Sequence, residues 1–155
     1  MKVLFLDMDG VILSGRELRR TKNNSYVPPS AVALLNQVVE RTGCQVVMSS
    51  AWRYLKPDAR GLLREAGFAG EFHEDWRTAD NGTVGVIWIA DRRGGEIADW
   101  LSRNPVDAYA IIDDGNDMLP EQTPRFVQTA YETGMWPEHV ERLVAILNAT
   151  ERAAA

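Results

Sequence analysis

Lys2-Val3-Leu4-Phe5-Leu6-Asp7-Met8-Asp9-Gly10-Val11 is a hydrophobic run of strand length that ends in two carboxylates one residue apart. The glycine that follows frees the backbone to turn. Strand side chains alternate between faces, so residues two apart point the same way. Asp7 and Asp9 are therefore expected to converge at the carboxyl end of one buried strand, the edge where open α/β sheets bind ligands. Two adjacent carboxylates repel each other unless a cation or a shared proton compensates. The pattern points to a Mg²⁺ site with one carboxylate left to attack a substrate. Its plain competitor is an acidic strand-to-loop turn of the kind any α/β protein carries.

Working outward, Ile12 to Val27 mixes Ser14-Gly15, basic residues and Asn23-Asn24, and reads as an irregular flap or small hairpin over the sheet edge. Arg16, Arg19, Arg20 and Lys22 offer positive charge either to a substrate or to solvent. Pro28-Pro29-Ser30 opens a helix with Ser30 as its candidate N-cap, Leu34, Leu35, Val38 and Val39 as its apolar stripe, and Gly43 at its end. Cys44 to Met48 is a short buried strand that leads into Ser49-Ser50-Ala51-Trp52-Arg53. Asp58 to Ala66 is helical. Glu71 to Asn81 carries no clear period, and Thr83 to Ile89 has strand composition but also suits connecting structure.

Asp91-Arg92-Arg93-Gly94-Gly95 leads into a helix bearing Ile97, Trp100 and Leu101, and its glycines suggest close backbone approach. Val106 to Ile112 is a buried strand closing in Asp113-Asp114-Gly115, and Arg125 to Thr129 is another short strand. Pro137 opens a last helix with Val140, Leu143, Val144 and Leu147 inward. Strands alternating with helices predict an α/β fold, a Rossmann-like three-layer α/β/α arrangement around a mainly parallel sheet. One domain is expected over 1–150, followed by a frayed tail at 151–155.

With 155 residues, 45% hydrophobic and 25% charged, the chain has the composition of a globular protein with one core. A net charge of −5 and a pI near 5.1 argue against a broad basic surface for nucleic-acid polymer, but leave room for a local phosphate pocket. Cys44 is the only cysteine, so no intrachain disulfide forms and a reducing compartment fits. His73 and His139 make no zinc-like spacing with it. No stretch reaches the ~18 apolar residues of a membrane span, and the acids come too early for a signal peptide. A cytoplasmic protein is expected.

Four groups fall at element ends in chain order: Asp7/Asp9, Ser49/Ser50, Arg92/Arg93 and Asp113/Asp114. Together they supply what phosphoryl transfer through a covalent intermediate needs. A carboxylate attacks phosphorus at neutral pH without prior deprotonation. A hard divalent cation neutralises phosphate and carboxylate charge. A hydroxyl and a fixed cation hold the equatorial oxygens, and an acid/base serves the leaving alkoxide and then water.

In these motifs the sequence resembles the haloacid dehalogenase (HAD) superfamily. Phe5-Leu6-Asp7-Met8-Asp9-Gly10-Val11 is similar to its first motif, the strand before Ser49 to its second, a basic residue before a helix to its third, and Ile111-Ile112-Asp113-Asp114 to its fourth. Ser49-Ser50-Ala51-Trp52-Arg53, Arg93-Gly94-Gly95-Glu96-Ile97 with Trp100-Leu101, Asp113-Asp114, and Phe126-Val127-Gln128-Thr129 before Gly134-Met135 are similar to the small HAD domain of Swiss-army-knife RNA repair proteins. The resemblance runs from residue 3 to about 147.

It implies Asp7 as nucleophile and Mg²⁺ ligand, and Asp9 as general acid/base whose backbone carbonyl also meets the metal. Ser49 is the implied phosphate-binding hydroxyl, with Ser50 the alternative one position on. Arg93 takes a place where lysine is usual, with Arg92 its competitor, and a guanidinium holds phosphate as a fork rather than a point charge. Of the acidic pair, Asp114 is implied as the direct metal ligand with Asp113 supporting it, and Asp117 assists through water or is only solvated. The second aspartate implies a phosphatase or phosphotransferase rather than a dehalogenase. A two-component receiver would place its acid pair on the first strand, not at the last core strand.

Trp52 and Arg53 have two readings: a base stack with a phosphate or ribose contact, or a core tryptophan beside an ion-paired arginine. The segments after Gly10 and Ser50 leave too little chain for a large cap, so an essentially capless site is implied, open to bulky substrates. The expected function is a Mg²⁺-dependent phosphomonoesterase acting through an aspartyl-phosphate on a nucleotide or a nucleic-acid terminal phosphate. Its alternatives are a phosphate- or end-binding module working with a repair partner, and a phosphotransferase.

Overall fold

The computed structural model describes residues 1–79 and 92–153, with side chains through residue 149. Five strands, β1 (Lys2–Leu6), β2 (Gln45–Met48), β3 (Phe72–Arg77), β4 (Ala108–Asp113) and β5 (Phe126–Gln128), form one sheet in the order β3-β2-β1-β4-β5. Every pairing among them is parallel. The chain lays β2 and β3 on one side of β1, then returns to lay β4 and β5 on the other. The order therefore reverses beside β1, and such a switch point opens a crevice at the carboxyl ends of the strands.

The helices are α1 (Gly15–Thr21), α2 (Pro29–Thr42), α3 (Trp52–Leu55), α4 (Ala59–Glu65), α5 (Arg92–Arg103) and α6 (Pro137–Ala153), with a 3-10 turn at Pro120–Arg125. Alternation along β1 sorts its side chains between two cores. Leu4 and Leu6 join Val32, Leu35 and Val38 of α2 and Val140, Leu143 and Leu147 of α6. Val3 and Phe5 join Ile97 and Trp100 of α5 on the opposite face. A strand buried on both faces reads as the continuous apolar run that opens this sequence. Trp100 meets Phe5 edge to face, with ring centroids 5.2 Å apart, and its indole N–H donates to the Asp75 carbonyl at 2.9 Å. That bond ties α5 to β3. The result is the expected three-layer α/β/α architecture.

Several local expectations need correction. Ile12 to Val27 is not irregular throughout, because α1 forms within it. The Ser14 side chain accepts from the Glu17 N–H at 3.2 Å, and Lys22 ends the helix at a left-handed φ of 54°. Ser14-x-x-Glu17 is a capping signal that the dense arginines obscured. The only helix between Gly10 and α2 is thus seven residues long. Arg19 pairs with Glu132 and Arg20 with Glu17 on its surface.

The N-cap of α2 is Pro28, not Ser30, with Pro29 inside the first turn and no side-chain cap. Prolines lack an N–H, so fewer orphan donors remain there to be capped. Glu71 to Asn81 contains β3, an edge strand whose half-exposed residues hide the alternation. Thr83 to Ile89 lies outside the described residues. The helix α6 runs on through Ala153, three residues into the expected tail, and 154–155 lie outside. Among the described residues no helix is long and apolar enough to cross a membrane.

Candidate functional site

Leu6 pairs with Met48 and with Ile112, and Met48 pairs with Arg77. The next residue on each strand therefore falls in one row across the carboxyl edge, in the order Thr78, Ser49, Asp7, Asp113. The ladder continues into that row. The amides of Asp7, Ser49 and Thr78 donate to Ile112, Leu6 and Met48 carbonyls at 3.1, 3.0 and 3.1 Å. All four residues are at most 5% exposed. A polar row sealed at a sheet edge is costly unless its groups find partners.

Asp7, Asp113 and Asp114 each offer a carboxylate oxygen within 4.8 Å of the others. Asp113 accepts from the Gly115 N–H at 2.8 Å through one oxygen and from Arg93 at 3.0 Å through the other. The same Arg93 nitrogen reaches Asp7 at 3.2 Å. Burial pushes Asp7 up to about 6, with Arg93 opposing the rise and Asp114 adding to it. Burial and then the Asp7 charge push Asp113 up to about 7, against the pull of Arg93. Asp114 is raised as well, chiefly by burial. Three carboxylates with one arginine between them fit a hard divalent cation that takes oxygen ligands.

A folded-state pKa above the ordinary carboxylate value favours the folded protein at low pH, and that contribution fades as pH rises from the ordinary carboxylate value of 3.8 to about 6 for Asp7 and about 7 for Asp113. A bound cation reverses the penalty. Mg²⁺ is therefore expected to raise the melting midpoint more at about pH 8 than at about pH 5. Paired melts in Mg²⁺ and in chelator check this, and a metal shift independent of pH would rule it out.

The strand periodicity that predicts the convergence of Asp7 and Asp9 does not extend to them. The strand β1 stops at Leu6, and the Met8 carbonyl then accepts from the amides of Val11, Ile12 and Leu13 in a tight loop. Asp9 sits in that loop, exposed, and is outside the three-carboxylate group. Gly10 has φ +80°, and a Cβ there would lie 2.5 Å from the Asp114 carboxylate. The buried Thr129 hydroxyl donates to the Gly10 carbonyl at 2.7 Å and pins the loop. Gly10→Ala is expected to cost about 1–3 kcal/mol and to weaken Mg²⁺ binding by displacing Asp114. A Mg²⁺ titration of the variant checks this, and an unchanged affinity contradicts it.

The two serines separate. The Ser50 side chain accepts from the Trp52 N–H at 3.2 Å in the turn that leads into α3. The buried Ser49 hydroxyl has no partner among the described residues. The two arginines separate too. Arg93 lies on the aspartates, whereas Arg92 is exposed and its Nε donates to Glu96 at 3.3 Å. Asp117 accepts from the Arg93 backbone N–H at 3.1 Å and so sets the first turn of α5. Gly94 is needed there, since a Cβ would come 2.4 Å from the Leu119 amide.

Trp52 lies in the core. Arg53 is 5% exposed and donates to the Ser49, Ser50 and Thr78 carbonyls while pairing with buried Glu96 at 3.0 Å. Of their two readings, the geometry has core and ion pair. Glu96, Thr129 and Thr78 are absent from the sequence-predicted site. The first two stand inside segments quoted for the family resemblance, so position alone could have raised them. Thr78 had no signal, because it follows an unrecognised strand.

A five-stranded parallel sheet flanked by helices, with an aspartate triad and an arginine gathered at its switch point, has the fold of a haloacid dehalogenase-class protein. Residues 3–140 match the family model for the HAD domain in Swiss Army Knife RNA repair proteins, and the chain belongs to that family. No curated protein and no solved structure matches. Membership implies a HAD-type hydrolase or a related role, and HAD domains usually bind Mg²⁺.

Proposed function

We propose that this chain is a Mg²⁺-dependent phosphomonoesterase that acts on a nucleotide or a nucleic-acid terminal phosphate, as one cytoplasmic domain over residues 1–150. The observation that carries the reading is the buried Ser49 hydroxyl, unpartnered and one strand from Asp7. A sealed hydroxyl without a partner costs about 1–3 kcal/mol, and a phosphoryl oxygen would satisfy it.

Asp7 attacks phosphorus, the P–O ester bond breaks, and Asp9 gives its proton to the departing alkoxide. Asp9 then takes a proton from water, which attacks the acyl phosphate and returns Asp7 with release of inorganic phosphate. Ser49 and Arg93 hold the equatorial oxygens, and Arg93 turns from the aspartates to the incoming phosphate. Asp7, Asp114 and the Asp9 carbonyl would hold Mg²⁺, with Asp113 supporting, and the ion would supply positive charge against phosphate and carboxylate. Asp113 fits the supporting role because both its oxygens are already engaged.

The test is Mg²⁺-dependent phosphate release from 3′- and 5′-mononucleotides and from oligonucleotides with a 3′- or 5′-terminal phosphate. A preference for oligonucleotide ends indicates an end-healing enzyme with a repair partner, and a preference for mononucleotides indicates a nucleotidase. No release from any substrate, with phosphate mimics still bound, would replace the reading with a binding module.

A further inference from the structure

Among the described residues, two buried side-chain oxygens lack any hydrogen-bond partner: the hydroxyls of Ser49 and Thr78. They belong to adjacent strands and to the same row, one position past the Met48–Arg77 pair. One guanidinium sets both residues at a common level, since Arg53 donates to the Thr78 and Ser49 carbonyls, each at 2.9 Å. The Tyr54 hydroxyl donates to the Thr78 carbonyl at 3.1 Å. The backbone of Thr78 is thus fully engaged while its hydroxyl is idle. Native proteins rarely leave a buried hydroxyl idle unless something else uses it.

We propose that Thr78 is a specificity-determining residue whose hydroxyl meets a sugar oxygen on the leaving group of a nucleotide substrate. This rests on the phosphomonoesterase reading. Neighbouring strands lie ~4.8 Å apart, which puts Thr78 about 10 Å from Asp7, with Ser49 between them. A phosphoryl group within reach of Asp7 and Ser49 ends short of Thr78, so Thr78 faces what that phosphoryl is esterified to. On the other side of Asp7 lie Asp113 and Asp114, the carboxylates that with Asp7 form the candidate cation site. Toward β3 the surroundings change. The half-exposed Tyr54 ring borders a cleft of about 280 Å³, lined also by Arg77, Thr78 and Asp99. A hydroxyl both donates and accepts, which suits a sugar oxygen of either kind.

Thr78→Val removes the hydroxyl at nearly constant shape, and Thr78→Ser keeps it. Each is assayed on adenosine 3′- or 5′-monophosphate, whichever turns over faster, and on p-nitrophenyl phosphate, whose leaving group has no sugar. In Thr78→Val the ratio of the two kcat/KM values is expected to fall about tenfold against the nucleotide, chiefly through KM, and Thr78→Ser should restore it. Equal losses on both substrates indicate a structural role, and an unchanged ratio indicates none; either overturns the proposal. If the wild-type protein releases phosphate from neither compound and from no oligonucleotide end, the phosphomonoesterase reading fails on its own account. Calorimetric titration of Asp7→Asn with the nucleotide, with and without Thr78→Val, then decides Thr78. Weaker binding in the double variant supports it, whereas unchanged or undetectable binding overturns it.

Discussion

Asp7→Asn is expected to reduce Mg²⁺-dependent phosphate release by at least about a thousandfold while leaving the fold as stable as before or more so. The first half follows from chemistry, because an amide oxygen is too weak a nucleophile to form the acyl phosphate. The second half follows from the site. Asp7 is buried among Asp113 and Asp114, and burial, against the pull of Arg93, already lifts its pKa to about 6. An isosteric amide removes a desolvated charge and a like-charge repulsion, and its oxygen still accepts from Arg93. Phosphate release and a thermal melt in chelator, run on the same preparation, read both halves. Retained turnover would end the covalent mechanism. A large loss of stability would show that Asp7 serves the fold first.

The second large effect falls on stability. Glu96→Ala is expected to cost about 3–5 kcal/mol, as measured for buried pairs that lose one partner. Arg53 and Glu96 are 4% and 2% exposed at the side chain, and removing the carboxylate leaves a guanidinium sealed without an anion. Burial already works against the Arg53 charge, and Glu96 is what opposes that effect. Arg53→Ala is expected to cost as much by another route. It removes the guanidinium's hydrogen bonds to the Ser49, Ser50 and Thr78 carbonyls and leaves Glu96 with only the outer Arg92. Arg53→Lys has too few fixed donors to replace the fork and should fall between. Denaturant melts check the series, and a loss under about 1 kcal/mol in both alanine variants would show that the site is not built on this pair.

Much of this molecule is written locally. The buried run from Val3 to Leu6, the acids that follow it, the Ser49 strand end and the Asp113-Asp114 pair are each legible from composition and order, because a strand covered on both faces must be apolar until it reaches the edge. That local record also carries the parallel architecture and the third-motif arginine. Other features depend on which strand lies beside which. Ser49 and Ser50 are chemically equal in the sequence, and only the turn into α3 engages one and leaves the other idle. Arg92 and Arg93 differ by one step of a helix, a rotation that turns one toward Glu96 and the other toward the aspartates. Asp9 is drawn toward Asp7 by strand periodicity, but the strand has already ended. Arg53 looks available to a substrate until the ends of β2 and β3 and the Glu96 carboxylate close around it. Thr78 belongs to the row because β3 pairs with β2, a long-range contact that no local pattern encodes. Residue chemistry and chain order thus determined which groups this protein has, and packing decided which of them remain free to act.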